Sequence, residues 1–303
     1  MEFENRQPRE GINISKENPL KQFVRLLAAA IFLFVVLFVA TTYLGGWLAR
    51  LVPFSAEVAA VESMGINFDE LFESDQDGPL FVQRETELAD LASRVMAYMD
   101  IPEDMSITVH YVDDEVINAF ATLGGHVFIF RGLIEQMPHE NALAMVMAHE
   151  IAHELHRDPI SGLGGKASAQ VAMSAIFRGS GSLSSVLDTT MLVGGVTFTR
   201  GMEARADTTA IDAVNGLYGH VVGADALFRL LAERSAESEG APNRASTFLR
   251  THPLDQSRVD AIQQAAKANG WLMEGDTTPL TPALASLSAA ALATDHSAAP
   301  ATD

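Results

Sequence analysis

The chain has no cysteine, so disulfides, thiolate metal sites, iron–sulfur clusters and cysteine nucleophiles are excluded. Positive charge is scarce: 20 lysines and arginines stand against 39 aspartates and glutamates over 303 residues, a formal net charge of −19. A nucleic-acid binder needs cations to displace counterions from phosphate, so no nucleic-acid partner is expected. Internal repeats are also missing, which removes the solenoid folds. The remainder is ordinary globular composition, 48% hydrophobic and 19% charged, and the length admits one large domain or two small ones. Any metal site must use histidine and carboxylate, which makes the nine histidines the residues to inspect.

Long uncharged runs are equally scarce, with one exception. Leu26 to Leu48 carries no charge over 23 residues, enough to cross a hydrocarbon core of ~30 Å at ~1.5 Å per residue. Tyr43 and Trp47 suit the interfacial region at its far end. Arg6, Arg9, Lys16, Lys21 and Arg25 precede the run, whereas Arg50 alone follows it before an acidic stretch from Glu57 to Asp77. The positive-inside rule therefore expects a cytoplasmic amino terminus, with the bulk of the chain across the membrane and in contact with lipid only through the anchor. A cleaved signal peptide is the competing reading, but its apolar region is usually ~7–15 residues.

Beyond the anchor, periodicity predicts a helix over Gln83 to Tyr98 and strands at Ile107 to Tyr111 and His126 to Phe130, the second after a Gly124-Gly125 turn. A helix over Glu140 to His156 is expected to end at Pro159. Further helices are predicted near Arg200 to Val214, Asp225 to Glu233 and Gln256 to Ala268. The implied organisation is a leader over 1–25, a transmembrane helix over 26–48 and a juxtamembrane linker over 49–82. A catalytic domain over 83–272 and a disordered Ala/Thr/Ser/Pro-rich tail over 273–303 complete it. Ala167 to Phe198 is apolar but broken by Arg178 and Asp188, which suits a helix pair beside the site better than a second crossing.

The chemistry is concentrated in Ala148-His149-Glu150-Ile151-Ala152-His153-Glu154. Histidines four apart on a helix share a face ~6 Å apart along the axis, so both imidazoles can hold one zinc ion. Zinc acidifies water, and Glu150 is placed to take the proton and pass it to a leaving amine. The alternative for the pentapeptide alone is a pair of satisfied core histidines. His156 and Pro159 stand where the extended metzincin pattern requires glycine and histidine, so that class is out. Glu203 and Asp207 share a helical face downstream. Glu203 can complete the metal shell while Asp207 orients a ligand imidazole; spacing alone also permits the swapped assignment.

With these motifs the chain resembles the zinc endopeptidases that include HtpX, the CAAX prenyl proteases and the mitochondrial inner-membrane stress proteases. The likeness covers roughly residues 85–270. It rests on Asn118-Ala119-Phe120-Ala121 with Gly124-Gly125, Phe128 to Leu133, the histidine helix, Glu203 to Asp207, and Thr251-His252-Pro253 with Arg258. The resemblance implies an α+β, mostly helical zincin-like (gluzincin) domain with a small sheet, and one zinc ion on His149, His153 and Glu203. It further implies Glu150 as general base, His252 at the oxyanion and polypeptide substrates. The chain departs from the multi-span relatives in having one transmembrane segment.

An exposed edge at His126 to Phe130 is expected to bind extended peptide as an added strand, using Gly125, His126, Val127 and Phe128. Asn118 either contacts substrate or holds the loop. Arg258 either supports the oxyanion or pairs with an acidic neighbour, and His156 is expected on the surface. The function these expectations describe is a single-pass zinc endopeptidase at the periplasmic face of a bacterial inner membrane, cleaving unfolded, damaged or membrane-associated proteins. A zinc-braced chaperone is the alternative, and a domain kept latent by Ala167 to Phe198 a third.

Overall fold

A computed structural model describes residues 18–65, 72, 78–177, 197–230, 246–252 and 256–287. The apolar run lies within α1, Pro19–Ala49, which at the helical rise is about 46 Å long. Asn18 caps it by accepting the Leu20 N–H at 2.9 Å, and Pro19 sits in the first turn, where a missing N–H costs nothing. Its apolar side chains are exposed along its length. Among the described residues it is the one helix long and apolar enough to cross a membrane.

The expected linker is more than a spacer. Within it α2, Phe54–Ser63, buries Phe54, Glu57 and Val61 against the domain. Next, α3, Pro79–Met96, buries Phe81, Leu88, Leu91 and Val95, the apolar face that its period predicts. Three strands follow: β1, Thr108–Val112; β2, Ala119–Thr122; and β3, His126–Phe130. Their order is β1-β3-β2, with β1 parallel and β2 antiparallel to β3.

That order corrects one expectation. The His126 to Phe130 strand is central, with both edges paired, so it cannot accept a peptide as an added strand. β2 was missed as a strand because four residues containing two alanines barely register as a period of two. Gly124 and Gly125 do form the β2–β3 turn, at φ 83° and 80°, where glycine alone is unstrained. What approaches Gly125 closely is the chain itself: a Cβ there would lie 2.0 Å from the Ser106 carbonyl oxygen.

After a short α4, Arg131–Ile134, comes α5, Glu140–Leu155, the histidine helix. Every residue from Glu140 to Glu154 is buried, so this helix is enclosed on all sides. Its first turn is well held. The Glu140 carboxylate accepts both Arg94 Nη groups at 2.9 and 2.8 Å and the Tyr218 hydroxyl at 2.7 Å. Pro159 does not close α5; it stands in the first turn of α6, Asp158–Phe177, which doubles back along α1. Residues 178–196 of the apolar stretch lie outside the described residues.

The chain continues as α7, Arg200–Tyr218, capped by Thr199 and closed by Gly219 at φ 74°, then α8, Ser246–Thr251, and α9, Gln256–Asn269. The beginning of the expected tail is structured, a second correction. The Thr278 carbonyl accepts the Glu140 N–H at 2.8 Å, its N–H reaches Asn141 Oδ1 at 2.8 Å, and α10, Pro282–Ala285, packs on α3. Residues 288–303 lie outside the described residues.

Candidate metal centre

Helix α5 turns His149 and His153 the same way, and α7 brings Glu203 and Asp207 across from them. The two Nε2 atoms lie 3.0 Å apart, each 3.5 Å from an oxygen of Glu203. Their far nitrogens face carboxylates. His153 Nδ1 donates to Asp158 Oδ2 at 3.0 Å, and His149 Nδ1 lies 3.0 Å from Asp207 Oδ1, in ion-pair contact though off the hydrogen-bond axis. With each Nδ1 facing a carboxylate that favours hydrogen there, both Nε2 atoms present lone pairs toward the Glu203 carboxylate. Two acceptors and an anion so close repel one another unless a cation sits among them. One ligand atom each from His149, His153, Glu203 and His252 falls within 4.8 Å of the others, and all four residues are buried. The donor set, imidazole and carboxylate, fits a zinc-like ion.

The electrostatics agree. Burial alone would push the His149 imidazole down, but Asp207 and Glu203 outweigh it and raise the ring to about 10. Burial would likewise raise Glu203, yet the imidazoles of His252, His149 and His153 hold it far below the usual carboxylate range. A site that draws a proton so strongly is built for positive charge, and a metal competes for the same lone pairs. Arg258 tightens the α7 side: Nε and Nη2 donate to the two Asp207 oxygens at 2.8 and 2.7 Å, and Nη1 lies 2.6 Å from Glu203 Oε2. Of its two expected roles the structure shows the ion pair.

Glu150 is fully buried with neither oxygen hydrogen-bonded, and His252 Nε2, also without a hydrogen-bond partner, lies 3.5 Å from its Oε1. On the other side of the ring, His252 Nδ1 is 3.1 Å from Glu203 Oε1 and 3.3 Å from His149 Nε2. Aromatic rings close the site: Phe198 stacks on His153 at 3.9 Å and Phe248 on His252 at 4.6 Å.

The model of peptidase family M48 matches residues 82–266, more than half of the chain. The chain belongs to peptidase family M48. It is similar to mitochondrial metalloendopeptidase OMA1 of Schizosaccharomyces pombe, 28% identical over 72% of this chain and 60% of that protein. The β-barrel assembly-enhancing protease of Escherichia coli is 29% identical over 51% of this chain and 33% of its own length. OMA1 of Saccharomyces cerevisiae is 27% identical over 61% and 56%. The chain thus spans between a third and three fifths of the length of these relatives.

Within this M48 domain, His149, Glu150, His153, Glu203, Asp207 and His252 converge as the sequence expects. The expected peptide-binding set does not: Val127 and Phe128 are core residues of the central strand, and His126 pairs with His110 at 2.9 Å. Asn118 stands just before β2, buried, with an unpartnered Oδ1. His156 is half-buried and pairs with Thr209 Oγ1 at 2.9 Å. Sequence reasoning missed Asp158 and Phe198. Asp158 lies beyond the end of α5, so no helical spacing points to it.

Proposed function

We propose that this M48 chain is a membrane-anchored zinc endopeptidase that cleaves unfolded, damaged or membrane-associated proteins. Its orientation would place the amino terminus in the cytoplasm and the catalytic domain at the periplasmic face of a bacterial inner membrane. The convergence of two imidazole lone pairs on the Glu203 carboxylate, beside an unpartnered Glu150, carries the reading. His149, His153 and Glu203 would hold the ion, which when bound supplies Lewis-acid polarisation. Glu150 would take the proton of the attacking water on a carboxylate oxygen and deliver it to the leaving amine. His252 Nε2, bearing hydrogen, would donate to the developing oxyanion. Asp207 and Asp158 orient the ligand rings, and Arg258 holds Asp207 and Glu203. Extended peptide would add to β2, which among the described residues has a single strand partner, starting near Asn118.

The unpartnered carboxylate of Glu150 speaks against a zinc-braced chaperone, since a structural site has no use for it. The test is zinc content and casein cleavage by the purified full chain in detergent, with and without chelator. Glu150→Gln should keep zinc and lose at least ~100-fold in turnover, because an amide cannot take a proton. Undiminished turnover in a metal-replete Glu150→Gln protein would remove Glu150 from the mechanism.

A further inference from the structure

The turn that leaves the histidine helix is gripped by the membrane-anchor segment. Arg157, at φ 59°, donates from Nη2 to the Val52 carbonyl at 2.8 Å and lies 2.8 Å from Glu57 Oε2. The next residue, Asp158, is fully buried and uses both oxygens. Oδ2 accepts from His153 Nδ1 at 3.0 Å, while Oδ1 accepts from Arg50 Nη2 at 3.1 Å and Arg205 Nη2 at 2.7 Å. Arg50 is the C-cap of α1. Its position is set by close packing: a Cβ on Gly46 would lie 2.8 Å from the Ser161 carbonyl, and one on Gly164 would lie 2.5 Å from Ala49 Cβ. The anchor's end and the start of α6 therefore meet backbone to backbone where Asp158 sits.

We propose that Asp158 is a positioning residue for the His153 ligand and that Arg50, acting through Asp158, makes the anchor helix part of the metal site. The inference rests on the zinc reading above. Asp158 fixes hydrogen on His153 Nδ1 and leaves Nε2 for the ion, as Asp207 does for His149; such outer carboxylates set ligand tautomer and basicity. Arg50 holds Asp158 aimed at that ring. A shift of the anchor against α6 thereby reaches a metal ligand through two side-chain contacts.

The test uses the full chain in lipid nanodiscs, with zinc affinity measured by chelator competition and the visible spectrum of the cobalt-substituted protein. Asp158→Asn should weaken zinc by ~10–100-fold and shift the cobalt bands, which report the ligand field rather than folding. Arg50→Gln should weaken zinc less, Arg50→Lys should restore part of the loss, and Arg50→Gln should add nothing in an Asp158→Asn background. Unchanged zinc affinity in folded Asp158→Asn overturns the positioning role. An Arg50→Gln penalty that persists undiminished in the Asp158→Asn background overturns the link to the anchor. If Asp158→Asn does not fold, Arg50→Gln and Arg50→Lys decide, and unchanged affinity and spectra in both overturn the proposal. Wild-type protein that binds no zinc would instead overturn the functional reading.

Discussion

Glu203 and Asp207 are one helical turn apart, yet their neighbours give them different work. Glu203 turns one oxygen to each Nε2 atom, Oε2 to His149 and Oε1 to His153, whereas Asp207 is held on both oxygens by Arg258 and faces the rear of the His149 ring. Glu203→Ala should therefore leave a two-histidine site and lose most of its zinc. Asp207→Asn, which keeps an acceptor for Arg258, should weaken zinc by ~10–100-fold and still load in excess metal. Chelator competition on both variants, at equal folding by circular dichroism, checks this; tighter zinc in Glu203→Ala would reverse the roles. The residue types were legible in the sequence because a helix converts spacing into geometry. Their division of labour was not, since it depends on Arg258 in α9 and Asp158 in α6. His252 is the open case at this scale. Its ring touches the ligand atoms on one edge and Glu150 on the other, so His252→Ala should retain zinc and lower turnover by ~10²–10³-fold if it serves the oxyanion. Zinc loss comparable to Glu203→Ala would make it a ligand.

The sheet shows what element-level reading can and cannot supply. Two of its strands are predictable from alternation, but strand order depends on pairing across sequence distance. β3 pairs with β1 in parallel, from Thr108↔His126 to Val112↔Phe130, and this makes central the strand that sequence reasoning placed on the edge. One consequence is the half-buried pair His110 and His126, whose rings lie across neighbouring strands with His110 stacked on Phe128 at 4.6 Å. Burial pushes the His126 imidazole below its ordinary value. In the unfolded chain that ring takes up a proton near pH 6.5, whereas in the folded sheet it resists until lower pH. Stability contributed by neutral His126 is thus complete above about pH 6.5 and declines as pH falls below it. Urea midpoints of metal-free protein at pH 7.5 and 5.5 should fall further for wild type than for His126→Gln. Equal slopes would show that His126 titrates as it does in the unfolded chain.

At the scale of the whole molecule, the histidine helix of the M48 domain is enclosed at both ends by segments that composition marks as accessory. Residues 50–57 grip the exit of the histidine helix, and residues 276–287 cover its entry. Neither role was legible. An acidic juxtamembrane stretch and an Ala/Thr/Pro-rich tail lack sustained periodicity, and their apolar residues become meaningful only against the surface they cover. The long apolar helix was legible from length and composition alone. Its proposed orientation predicts that protease added outside spheroplasts degrades the domain beyond Leu48 and spares the leader; digestion of Met1 to Arg25 instead would refute the charge-bias argument. The second clamp is testable by truncation. Leu280, Leu284 and Leu287 are buried to 9% exposure or less, Thr281 and the Leu284 N–H engage Glu87, and Thr278 satisfies Glu140 N–H at the first turn of α5. Fully burying a leucine contributes about 1.5–3 kcal/mol, so three such side chains and a capped helix end amount to several kcal/mol, a large part of a typical domain's stability. A chain ending at Asp276 should unfold at markedly lower urea, and Leu284→Ala alone should cost about 2–5 kcal/mol. An unchanged midpoint on removing residues 277–303 would show that this segment rests on the domain without holding it.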